Sequence, residues 1–133
     1  MKINIIVASE KLESFYKDAI QEYNKRLSSY CKIKLFQCKN TKEAEKKIPK
    51  NSYVIQICTS STLISSEFLA TKLNSFAVSG VSNIAIIFNF PYSSVDETIS
   101  ISPLKMCDGL LLTIIYEQIY RAFRIINNQA YHK

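Results

Sequence analysis

Asn83-Ile84-Ala85-Ile86-Ile87-Phe88 is the stretch that decides the fold. Its apolar positions are consecutive, with no polar alternation, so the strand it forms must be covered on both faces. Strands of that kind sit inside parallel sheets sandwiched by helices, and the flanking sequence supplies the helices. Just upstream, Phe68–Val78 reads as a helical run. Ser65 or Ser66 before Glu67 is its predicted cap, and Gly80 closes it in the left-handed conformation that glycine tolerates. Before that, Tyr53–Cys58 reads as a strand, and Thr41–Ile48 as a short charged helix stopped by Pro49. Cys31–Cys38 reads as another strand, in which Ile33 and Leu35 alternate with Lys32 and Lys34. At the start, Lys2–Ala8 is a strand rich in β-branched residues, and Ser9 is the predicted cap of the next helix. Leu12, Phe15, Tyr16, Ala19, Ile20, Tyr23, Leu27 and Tyr30 form that helix's apolar face.

Downstream of the deciding strand, residues 90–103 read as irregular or briefly helical, and Asp108-Gly109 as a turn. The last element is a helix from about Leu110 to Asn127. Its apolar residues cover nearly all sides, leaving Thr113, Glu117, Arg121 and Arg124 as a narrow polar stripe. A helix that apolar needs two covering surfaces, its own sheet and, most simply, a second copy of the chain. The alternation predicts an α/β fold: one domain over residues 1–133, with right-handed βαβ units and a mostly parallel sheet of five or six strands. Ligands of such sheets sit beyond the carboxyl ends of the strands.

Composition narrows the function classes. Hydrophobic residues make up 47% of the 133, which excludes a disordered chain. The opening apolar run is too short for a signal peptide, and charges interrupt Leu110–Ile126, so neither secretion nor a membrane span is expected. The four cysteines lack a paired spacing, and His132 is the single histidine, so no zinc site is expected. Cys38 and Cys58 lie in apolar strands and read as small buried hydrophobes. Free thiols suit a reducing cytosol, hence a cytoplasmic protein. Net charge is +6, and residues 1–50 carry all of that excess, with twelve Lys or Arg against six Asp or Glu. Such a basic half suits a polyanion such as RNA. Lys42, Lys46, Lys47 and Lys50 form its densest cluster.

Tyr116-Glu117-Gln118-Ile119-Tyr120-Arg121-Ala122-Phe123-Arg124-Ile125, the ending Ala130-Tyr131-His132-Lys133, the block Tyr23–Tyr30 and the block Leu63–Ala70 occur in order along the chain. Together they resemble the ribosomal large-subunit methyltransferase H family, of the SPOUT class. That resemblance implies an α/β knot with a C-terminal trefoil, and a homodimer in which the partner subunit helps complete the site. The implied activity is transfer of a methyl group from S-adenosylmethionine to N3 of a pseudouridine in 23S rRNA, on the large ribosomal subunit. It further implies cofactor contacts at Ile57, at Asn89 in the loop after the fourth strand, and along Pro103-Leu104-Lys105-Met106-Cys107. Arg121, Tyr131 and His132 are the implied catalytic residues, the last two on a tail folded over the active site.

The chain departs from the family pattern in three loops. Asn89 and Phe90, followed by Pro91 and Tyr92, stand where the family has a glycine pair, Ser61 and Thr62 where it has Gly-Lys, and the stretch before the last helix is shorter. An alternative expectation follows from these changes: a non-catalytic dimeric homologue, able to bind RNA, whose pocket is filled by Phe90 or Tyr92.

Overall fold

The computed structural model describes residues 1–9 and 11–133. Its core is a five-stranded sheet, all parallel, in the order β2-β1-β4-β3-β5. The strands are β1 (Lys2–Ala8), β2 (Lys32–Cys38), β3 (Tyr53–Ile57), β4 (Asn83–Phe88) and β5 (Glu97–Ile99). The helices are α1 (Ser14–Leu27), α2 (Thr41–Lys46), α3 (Ser66–Ser79) and α4 (Asp108–Ile126).

Crossover handedness assigns the layers. The links from β1 to β2 and from β3 to β4 travel one way along the sheet. Those from β2 to β3 and β4 to β5 travel the other way. Right-handed crossovers therefore place α1 and α3 on one face, and α2 with the segment 89–96 on the opposite face. Side-chain packing agrees. On the first face, Leu12, Ile20 and Leu27 gather with Leu73 and Phe76 over Ile3, Ile5, Val7, Ile84 and Ile86, and α4 adds Leu112, Ile115, Tyr116 and Ile119. On the second, Ala44 and Phe90 pack over Ile6, Cys38, Val54, Ala85 and Ile87. Strand β4 feeds both cores, as its unbroken apolar sequence demands.

Four local expectations are corrected. Ser9 does not cap α1: its amide still donates to the Cys38 carbonyl at 3.1 Å, extending the β1–β2 ladder, and the helix begins after Glu13. Residues 90–103 are neither helical nor wholly irregular, because β5 lies within them. Its register pairs Ile55 with Glu97 and Ile57 with Ile99. Polar anchors hold it: Val54 N donates to the Asp96 carboxylate at 2.7 Å, the Tyr53 hydroxyl donates to Glu97 Oε1 at 3.0 Å, and Lys72 pairs with Glu97. Asp108 and Gly109 do not form a turn; they open α4. A Cβ on Gly109 would stand 2.2 Å from Tyr16 Cδ2, so the glycine serves close approach of α1. Phe15, placed on the apolar face by spacing, is 62% exposed and rests against Tyr16. Ser65 and Gly80 behave as expected: the Ser65 hydroxyl accepts from Phe68 N at 3.0 Å, and Gly80 has φ +80°.

The segment after β5 is hydrogen-bonded along the loop after β3. Ser100 is fully buried, its hydroxyl donates to the Cys58 carbonyl, and it accepts from Ser61 N at 3.0 Å. Ser100 N donates to Thr62 O, and Ile64 N donates to Ser100 O, forming a parallel bridge of Leu63 with Ser100.

Candidate active site

Beyond the carboxyl ends of β3, β4 and β5 lies a cleft of about 700 Å³, a size that suits a small-molecule ligand. The end of β3 contributes Gln56, Ile57, Cys58 and Thr59, and the end of β4 contributes Phe88, Asn89, Phe90 and Pro91. Ile101, Ser102, Leu104, Lys105 and Met106 come from the segment after β5, and Asp108 and Leu111 from the first turn of α4. The walls mix apolar groups with the polar side chains of Gln56, Thr59, Asn89 and Ser102, and carry one carboxylate, Asp108, and one ammonium, Lys105.

Asn89 has φ +67°, the left-handed region that favours glycine. Asparagine is the side-chain-bearing residue that enters this region most readily. Here its amide also donates to the Asp108 carboxylate, tying the loop to the start of α4. The backbone therefore keeps a glycine-like path although the side chain has changed. Phe90 is 4% exposed because its ring packs into the second core, against Ile6, Val54 and Ile87, and its carbonyl accepts from Gln56 Nε2 at 3.1 Å. Tyr92 leans on that same core. Phe90 thus belongs both to the second core and to the wall of the cleft, whose open volume is about 700 Å³.

Of the expected cofactor residues, Ile57, Asn89, Leu104, Lys105 and Met106 line the cleft; Pro103 and Cys107 do not. Cys107 instead precedes α4 as its N-cap, with Sγ 3.3 Å from the Tyr16 hydroxyl, a contact that raises the Tyr16 pKa. Cys58, expected to be a buried hydrophobe, is half-buried and lines the cleft, whereas Cys38 is buried as expected. Gln56, Cys58, Thr59, Ile101, Ser102, Asp108 and Leu111 line the cleft but were not expected there from sequence. The rule that ligands lie past the strand ends points to Cys58 and Thr59, but the position of β5 was needed to add Ile101 and Ser102.

Arg121, Tyr131 and His132 form a second constellation, and none of them lines the cleft. Its hub is Glu117 Oε1, which accepts from Arg121 Nε at 3.1 Å, Arg121 Nη2 at 2.7 Å and the Tyr131 hydroxyl at 3.1 Å. The Arg121 guanidinium also lies 4.8 Å from the Tyr131 ring centroid. His132 bridges two elements: Nδ1 is 3.2 Å from Arg121 Nη1, and Nε2 is 2.7 Å from Glu67 Oε1 at the start of α3. Gln118 completes the link, donating to Glu117 at 2.6 Å and accepting from the Ser66 hydroxyl. The tail thus packs across α3 and α4, and Tyr131 and His132 do not line the cleft.

Charge states follow from these contacts. The carboxylate of Glu117 raises the Arg121 pKa, keeping the guanidinium charged. Burial, with the bonds to Tyr23 and Glu117, raises the Tyr131 pKa, so its phenol stays protonated at neutral pH. Glu67 is lowered by backbone hydrogen bonding and by His132. An ionised acceptor thus faces the imidazole, arginine and tyrosine present donors, and the group can orient a polar base and receive a proton. Glu67 was missed as a partner because its meeting with His132 spans 65 residues of sequence.

Half-exposed apolar groups lie between the two constellations. Ile64, Leu69, Ile101 and Ile114 line a small cavity shared with Ser66 and Gln118. Leu63, Phe68 and Leu110 are exposed.

The family model described as "Predicted SPOUT methyltransferase" matches residues 1–132. Curated relatives agree over their whole lengths. Ribosomal RNA large subunit methyltransferase H 1 of Thermoanaerobacter sp. (strain X514) is 40% identical over 133 positions, covering all of both chains. The enzymes named ribosomal RNA large subunit methyltransferase H of Acetivibrio thermocellus and Clostridioides difficile are 30% and 32% identical over 159 positions, again covering both chains completely. The stretch that is short against the longer relatives therefore needs no gap against the Thermoanaerobacter protein. With the parallel α/β sheet, the cleft at its strand ends and this full-length similarity, the chain belongs to the SPOUT methyltransferase family.

Proposed function

We propose that this chain is an S-adenosylmethionine-dependent methyltransferase of large-subunit rRNA, a single cytoplasmic domain over residues 1–133 that works as a homodimer. The observation that carries the reading is the open cleft at the ends of β3, β4 and β5. Asn89 takes a glycine's conformation there, and Phe90 is anchored in the second core while the cleft keeps about 700 Å³. Ile57, Asn89, Leu104, Lys105 and Met106 would hold the cofactor, which supplies an electrophilic methyl group when bound. Pro103 and Cys107 support the same segment from outside the cleft. The C-terminal part of the chain would follow the knotted path of the family, and the hydrogen bonds of Ser100 to Cys58 and Ser61 support that reading.

Methylation of a pseudouridine N3 removes that nitrogen's proton. Arg121, Tyr131 and His132 have the chemistry to orient the base and take the proton. Because they lie away from the cleft of their own protomer, a partner's cleft is the natural place for them. Leu63, Phe68 and Leu110 would seal such an interface. With the methyl donor and acceptor base held in line, positioning supplies most of the acceleration.

Isothermal titration with S-adenosylmethionine, followed by tritiated methyl transfer to bacterial large ribosomal subunits, tests the reading. Saturable binding and incorporation are expected. A silent titration at millimolar ligand would sink it, as would a monomer in light scattering at the concentration used for transfer.

A further inference from the structure

The sheet face that carries α2 is only half covered. On β2, side chains 32, 34, 36 and 38 share this face, because Phe36 and Cys38 belong to the second core while Ile33 packs in the first. On β1, Lys2 and Asn4 join Ile6 on that face by the same alternation. On β4, Asn83 joins Ala85 and Ile87. Helix α2 has six residues and covers the carboxyl half of these strands. The amino half is a polar floor: register sets Lys2 beside Lys32 and Asn83, and Asn4 beside Lys34. Lys2, Lys32 and Lys34 are exposed. On the wall above, Lys42 and Lys46 point outward one helical turn apart, since Ala44 is the buried residue of α2. Lys47 lies over the Phe36 ring, its ammonium 5.5 Å from the centroid. Lys50 follows before β3.

Charge is concentrated here. Residues 32–50 hold seven lysines against Glu43 and Glu45, so they account for five of the six net positive charges. Glu43 is spent locally, its carboxylate accepting from Lys39 N at 3.1 Å. Among the described residues, no carboxylate lies within ion-pair distance of Lys2, Lys32, Lys34, Lys42, Lys46, Lys47 or Lys50. Like charges at the same register repel, as with Lys2 against Lys32, and they cost stability in the free protein. A polyanion removes that cost.

We infer that this floor and wall form a docking surface for the phosphodiester backbone of structured RNA, separate from the cleft and from the Glu117 constellation. The inference rests on the RNA substrate proposed above and adds a second, sequence-independent contact. Phosphate contacts of this kind position a protein on its RNA without reading bases.

The test compares two triple variants of the full chain with equal loss of charge. One is Lys32→Gln, Lys34→Gln, Lys46→Gln. The other is Lys11→Gln, Lys17→Gln, Lys25→Gln, on or beside α1. Affinity for purified large ribosomal subunits and for a fluorescent RNA duplex is measured across salt concentrations, with phosphatidylglycerol vesicles as a third probe. The first triple should lose roughly tenfold or more in RNA affinity. Its log–log salt slope should be shallower by about 2–3, at about 0.9 per phosphate lost. The second triple should stay within about twofold, and S-adenosylmethionine affinity should be unchanged in both. Equal losses in the two triples, no loss in either, or sensitivity confined to the vesicles would overturn the inference. Failure of wild-type methyl transfer would instead count against the proposed reaction, since duplex binding is read without it.

Discussion

Substituting Gly109 by alanine should have opposite signs in two backgrounds, and the structure gives the magnitudes. Alanine in place of a helical glycine favours folding by up to about 1 kcal/mol. At this position the new methyl would meet Tyr16 Cδ2 at 2.2 Å, Cγ at 2.5 Å and Cε2 at 2.8 Å. The nearest atoms include the root of the ring, so rotating its far end gives no relief. The ring must swing out or α1 must move off α4, which costs about 1–3 kcal/mol by analogy with overpacked cores. Gly109→Ala alone should therefore destabilise the chain by about 1–2 kcal/mol. In a Tyr16→Ala background the clash is gone, and the same substitution should stabilise by about 0.5–1 kcal/mol. The coupling is then about 2 kcal/mol, well outside ordinary additivity. Urea titrations of the four proteins at neutral pH, with unchanged m-values, measure it. If Gly109→Ala stabilises the wild-type background, or shifts both backgrounds alike, the close-approach account of this glycine is wrong.

Asn89→Ala should cost about 1–2 kcal/mol, from a left-handed residue that lacks asparagine's tolerance together with the lost bond to Asp108. Asn89→Gly should stay within about 1 kcal/mol of wild type and retain cofactor binding, and thermal melts with parallel calorimetric titrations separate the two. Glu117→Gln should loosen the tail, raising amide exchange at residues 129–133 by about tenfold. It should lower methyl transfer without changing S-adenosylmethionine affinity, because Glu117 lies outside the cleft. Burial pushes the Cys31 thiol up to about 11. A group raised in the folded state contributes stability below its unfolded pKa and loses it as pH climbs through the folded value. Stability should therefore fall between about pH 9 and 11, with Cys31 supplying about 2 kcal/mol of that fall. Cys31→Ala should flatten the slope in denaturant titrations over that range by this share.

Sequence displayed the elements whose causes are local. The apolar run at 84–88, the Ser65 cap and the Gly80 stop are each dictated by neighbouring residues, and each stands where expected. β5 was hidden because three residues among serines and acids carry no period. It forms only through pairing with β3 and the anchors from Val54, Tyr53 and Lys72. Asp108-Gly109 looked like a turn because both residue types favour turns. What decided it was Tyr16, far away in sequence. At Asn89-Phe90 composition suggested a blocked pocket. The outcome depended on Asn89 entering the left-handed region and on Phe90 finding a place in the second core, and residue identity alone encodes neither. The tail was recognisable as a motif, but its meeting with Glu67 depended on how α3 and α4 pack.

Strand order has a consequence for biosynthesis. β1 is synthesised first and can pair with β2 early, yet its other neighbour is β4, which arrives only when Asn83–Phe88 has been made. Until then the nascent chain offers one open edge of an isoleucine-rich strand, the kind of surface that recruits foreign strands. Fragments ending before residue 83 should accumulate as aggregates rather than as a smaller folded unit, and a growing chain paused there is at its most vulnerable.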